Sequence, residues 1–79
     1  MIAARYDRPY YPHQADHDAA KRAQDHHRAG DLVLTPEQLD ALQAVIEAYQ
    51  DCMYVTRRVI LDAHEAIFRD NERLAGRST

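Results

Sequence analysis

The stretch Leu34-Thr35-Pro36-Glu37-Gln38-Leu39-Asp40-Ala41-Leu42-Gln43-Ala44-Val45-Ile46-Glu47-Ala48-Tyr49, which continues to Ala75 without a further Gly or Pro, decides the fold class. Its start is marked. Thr35 suits the N-cap, Pro36 the first helical position where no backbone N–H is needed, and Gln38 completes a T-x-x-Q capping box, with Leu34 and Leu39 at the staple positions. Its stop is marked by Gly76, and Arg69 and Arg73 lie where positive charge complements a helix C-terminus.

A seven-residue repeat runs through this stretch. Leu39, Ile46, Met53, Ile60, Ile67 and Leu74 take one position, a, and Leu42, Tyr49, Thr56, Ala63 and Asp70 take d. Val45, Cys52, Val59 and Ala66 widen the stripe into the broad face of a packed bundle helix, while Glu37, Asp51, Arg58, Glu65 and Glu72 lie opposite. This pattern predicts one long helix over about residues 36–75. The run Tyr54-Val55-Thr56-Arg57-Arg58-Val59-Ile60-Leu61 is rich in β-branched residues and would also suit a strand, but its apolar residues stay in register with the heptads on either side. A kink or two-helix break near 54–61 is the alternative to an unbroken helix.

Upstream, His13 to Ala29 are good helix formers closed by Gly30, and the apolar face of this segment is alanine. Such a helix adds little burial of its own and should either lie close against the long one through Ala15, Ala19, Ala20, Ala23 and Ala29 or fray in isolation. The short link Asp31–Leu34 favours an antiparallel hairpin. Residues 1–12, with Tyr6, Pro9, Tyr10, Tyr11 and Pro12, read as an extended aromatic arm dispensable for folding, and residues 13–79 as a single helical domain. Arg77-Ser78-Thr79 read as a disordered tail.

A chain of 79 residues has too little core for a comfortable margin, and Cys52 is its only cysteine, so no disulfide can staple it. Association is the remaining source of burial. The expected fold is therefore all-α: a helical hairpin assembling as a homodimeric bundle or coiled-coil-like dimer through Leu39, Leu42, Ile46, Tyr49, Met53, Ile60 and Ile67. A second apolar row, Tyr54, Leu61 and Phe68, repeats every seven residues about 100° round from the first, where the earlier positions are Asp40 and Glu47. With Arg57 and Arg58 as a rim, this row is the expected partner-binding surface; the alternative is that the alanine helix, the tyrosine arm or a second subunit covers it.

The formal net charge of −3 argues against a general nucleic-acid binder, and the cluster Lys21, Arg22, His26, His27 and Arg28 is interrupted by Asp25 and flanked by Asp16, Asp18 and Asp31. No apolar run has the length of a membrane span, and Met1–Asp7 lacks the apolar core of a signal peptide, so a cytoplasmic setting is expected. His13 and His17 share a helical face, but two ligands do not make a metal site. His64 has Asp62 and Glu65 near it in sequence without facing them, and there is no phosphate loop or nucleophile elbow. No enzyme activity, cofactor or metal is expected. The remaining expectation is a small non-catalytic helical protein that binds and inhibits another protein, in the manner of a phage- or plasmid-type antiactivator of a host transcription factor or motor. The alternative is a DNA-associated regulator or antitoxin-like dimerisation module.

Overall fold

A computed structural model describes the backbone of residues 9–78 and the side chains of residues 9–73. Met1–Arg8, Thr79 and the side chain of Leu74 lie outside the described residues. The described residues form three helices: α1, Gln14–Arg28; α2, Pro36–Gln50; and α3, Arg57–Ser78. Among the described residues the regular structure is all helical, and the expected 36–75 helix is two helices instead of one.

Both ends of α1 form for local reasons. The Asp16 carboxylate accepts the His13 backbone N–H at 3.0 Å, holding the first turn. At the other end Gly30 takes a φ of 84°, and the amides of Gly30 and Asp31 reach back to the carbonyls of His27 and His26 at 3.0 and 2.9 Å. This is a Schellman closure. The reciprocal capping box of α2 forms as expected: the Gln38 amide N–H donates to Thr35 Oγ1 at 3.1 Å, and the Thr35 N–H donates to Gln38 Oε1 at 3.0 Å.

The break after α2 is the main correction to the sequence reading. Cys52 adopts a φ of 56°, and the amides of Cys52 and Met53 close onto the carbonyls of Tyr49 and Ala48 at 3.3 and 2.7 Å. Val55 then pairs antiparallel with Tyr10, each amide donating to the other's carbonyl at 2.8 Å. Thr56 starts α3, its Oγ1 accepting the Val59 amide at 3.2 Å. The strand-like composition of 54–56 thus expresses itself as a two-residue bridge.

Energetics explain why the helix breaks. An unbroken helix would leave its apolar row uncovered within one chain. Folding α3 back places Leu42, Val45 and Ile46 of α2 in one core with Ile60, Ala63 and Ala66 of α3. Each large aliphatic side chain so buried is worth about 1.5–3 kcal/mol, against about 1–2 kcal/mol for a left-handed residue with a Cβ. Ala20 and Ala23 of α1, both 0% exposed, let that helix approach closely, and Leu32 and Leu34 close the core beneath the first turn.

The far end of α3 also differs from expectation. The helix runs on through Gly76 to Ser78. Glycine permits a left-handed closure without imposing one. After Gly30 the chain has Leu32 and Leu34 to bury, whereas the residues directly after Gly76, Arg77 and Ser78, are polar.

Candidate functional site

The residues expected to form a self-association seam are largely in the chain's own core. Leu42, Ile46 and Ile60 are buried, and Leu39, Tyr49 and Ile67 are half-buried. Met53 alone is exposed, because it lies in the bend. The break makes the two halves of the row face each other within one chain.

The expected partner-binding residues are on the outside. Tyr54, Leu61 and Phe68 are 64%, 52% and 61% exposed, and Arg57 and Arg58 are exposed beside them. The bend separates them into two patches. At the first, Met53 and Tyr54 stand beside an open groove of about 370 Å³ lined by Ala44, Ala48, Val55 and Val59, with Glu47 and Asp51 among its walls. Tyr11 lies against Tyr54, ring centroids 5.1 Å apart. A hydrogen bond with the Cys52 thiol is the main cause that pushes the Tyr11 hydroxyl above its ordinary value. The second patch is the outer face of α3. Counting about 100° per residue, Leu61 lies roughly 160° from Val59, so the two patches do not share a side of that helix.

Two polar clusters link distant parts of the chain, and adjacency in sequence revealed neither. Asp16 Oδ2 accepts from the Tyr10 hydroxyl at 2.8 Å and from the His13 amide, while Oδ1 lies 3.2 Å from His64 Nε2. Burial works to raise the Asp16 carboxyl, but the His13, Tyr10 and His64 hydrogen bonds outweigh it and hold it below the usual carboxylate range. Burial first, and then the Asp16 hydrogen bond and charge, push the Tyr10 phenol up, so it stays a donor. With both oxygens occupied, this carboxylate works as a clamp joining the start of α1 to Tyr10 and α3.

The second cluster pairs His26 Nδ1 with Asp70 Oδ1 at 2.6 Å, the Asp70 side chain being only 2% exposed. Its one sequence signal is a charged residue at the d position of an apolar repeat. His27 Nδ1 lies 2.9 Å from the Leu32 carbonyl oxygen. The basic cluster of α1 is thereby divided: His26 and His27 turn inward, and Lys21, Arg22 and Arg28 remain exposed.

His13 and His17 are drawn to different neighbours. His13 meets the Tyr10 ring edge-on at 6.0 Å, and His17 lies 4.8 Å from the Tyr49 ring with Nδ1 at 3.0 Å from Asp18 Oδ1. Among the described residues no three His, Cys, Asp or Glu side chains converge as for a metal ion, and no helix is long and apolar enough to cross a membrane. Comparison with protein families, characterised proteins and solved structures yields no match.

Proposed function

We propose that this is a small non-catalytic helical protein that binds another protein and inhibits it, of the phage- or plasmid-type antiactivator kind that acts on a host transcription factor or motor in the cytoplasm. The observation that carries this reading is the exposed pair Met53 and Tyr54 beside the apolar groove at the α2–α3 bend. Large apolar side chains on a bundle that already has its own core mark an interaction surface. Tyr supplies contact area with few rotatable bonds, Met adapts to an irregular surface, and Arg58 at the start of α3 supplies a guanidinium of the kind common at protein interfaces. A chain of this size inhibits by occupying its partner's surface.

The test is affinity capture from lysate with and without nuclease, comparing the wild type with the Met53→Ala/Tyr54→Ala variant. The expected result is a nuclease-resistant partner whose capture falls about tenfold or more in the variant, an anchor-residue effect. The variant's thermal midpoint should hardly move, because both side chains are exposed. Capture abolished by nuclease would instead support the DNA-associated reading, and equal capture by both proteins would remove the bend from the interface.

A further inference from the structure

The outer face of α3 has an ordered pattern. Leu61 and Phe68 lie within about 20° of each other and roughly 150° from the middle of the buried stripe Ile60, Ala63, Ala66 and Asp70, so they point away from the bundle. Arg57 and Glu72, both exposed, bracket them one turn out on either side, and His64 and Glu65, also exposed, lie between. Along the helix the face reads cation, apolar, His-Glu, apolar, anion. Reversing the direction of reading replaces each member by its complement: Arg57 by Glu72, Leu61 by Phe68, His64 by Glu65. Leu61 and Phe68 themselves stand seven residues apart, the repeat of a helix–helix seam.

We propose that this face binds the same face of a second copy, with the two α3 helices antiparallel about a two-fold axis passing between residues 64 and 65. In that register Arg57 of each copy meets Glu72 of the other, and Leu61 packs against Phe68, so one patch is complementary to itself as a closed two-fold dimer requires. The opposed helix dipoles add to the preference for the antiparallel sense. The central pair contributes less, because His64 already contacts Asp16 and Glu65 already accepts a hydrogen bond from Gln38 Nε2 at 3.2 Å. Two large apolar residues per copy fall short of the roughly 1,200 Å² that stable dimers bury, so the dimer is weak and reversible. The pairing rests on the reading that the exposed apolar surface serves protein contacts. It assigns the α3 half of that surface to a second copy and leaves the bend to the partner.

Sedimentation equilibrium of the purified full chain tests it without any partner. The expected behaviour is a mass rising from monomer to dimer across roughly micromolar to millimolar concentration, the range of weak association. Leu61→Glu and Phe68→Glu should each stay monomeric throughout, and because both positions are exposed their thermal midpoints should match the wild type. Arg57→Glu and Glu72→Arg should each weaken association about tenfold, and the double variant should recover most of the loss, which only the antiparallel register predicts. A monomer at every concentration overturns the proposal, as does a dimer indifferent to Leu61 and Phe68, or a double variant no better than the singles. Capture of another protein through Met53 and Tyr54 is a separate readout, so the pairing can fail while the proposed function stands, and the reverse.

Discussion

After α1 the chain reverses at Gly30, φ 84°; after α2 it reverses at Cys52, φ 56°, through the same pair of backward hydrogen bonds. At Gly30 the residue permits the conformation, since glycine takes positive φ at no steric cost. At Cys52 the residue opposes it, and the surroundings hold it. The Tyr10–Val55 bridge pins the chain just beyond the turn, Tyr11 packs against Tyr54, and the buried Val55 anchors the turn to the core. One turn is locally encoded and the other is imposed by tertiary contact. A left-handed turn without glycine therefore depends on residues far from it in sequence.

The largest effect should come from cutting the imposed turn loose. Deleting Met1–Pro12 removes both bridge hydrogen bonds, the Tyr10–Asp16 bond and the buried Pro12, and should lower stability by about 3 kcal/mol, taking roughly 1 kcal/mol per hydrogen bond. Urea denaturation measures this. An unchanged midpoint would show that the bend closes without the segment, in line with the dispensable arm that composition suggested.

Next comes the clamp that orients this segment. Asp16→Ala should cost about 1–2 kcal/mol, the range for a lost helix cap. The Asp16 carboxyl is held below its ordinary value in the fold. Its contribution is therefore complete above the unfolded carboxyl's range, near pH 4, and disappears as pH falls through the lower folded value. Acid unfolding curves of wild type and Asp16→Asn should converge at the acid end and separate toward neutrality. Parallel curves would mean that the carboxylate's charge does not stabilise the fold.

The two turn residues themselves sharpen the contrast by sign. Gly30→Ala should destabilise by about 1 kcal/mol, and entirely through the backbone, because a Cβ there meets nothing within 4 Å. Cys52→Gly should stabilise by roughly 0.5 kcal/mol, the relieved strain less the added freedom of the unfolded chain. Thermal melts resolve both. Equal signs would show that the two turns are governed alike.

These turns also mark where sequence reading stops. The Thr35 cap, the Gly30 closure and the alanine face of α1 are local signals, and each appears where its residues stand. The apolar row from Leu39 to Ile67 shows that one face is buried, but periodicity cannot say by what. Across the bend the seven-residue spacing persists, so Leu42 and Ile46 meeting Ile60 inside one chain looks the same as two chains meeting along a seam. The row Tyr54, Leu61 and Phe68 was legible as a second apolar stripe, but whether it is core or surface was not, because the bend separates it from Asp40 and Glu47; the structure leaves all three exposed. The Asp16–His64 and His26–Asp70 pairs were not legible, because they join α1 to α3 and depend on the bend.

The Tyr10–Val55 bridge also ties the chain into a ring that encloses all of α1 and α2. Closing a flexible ring of several dozen residues costs about 3 kcal/mol in chain entropy before any contact offsets it, and much less once the helices inside have formed and shortened the path. The α1–α2 hairpin is therefore expected to assemble first, with the ring closing and α3 docking last. In the native state the order runs backward: the amides of Tyr10 and Val55 should exchange with solvent through partial openings that leave those of Leu42 and Val45 protected. Exchange of all four at one rate set by global unfolding would show instead that the ring and the hairpin open as a single unit.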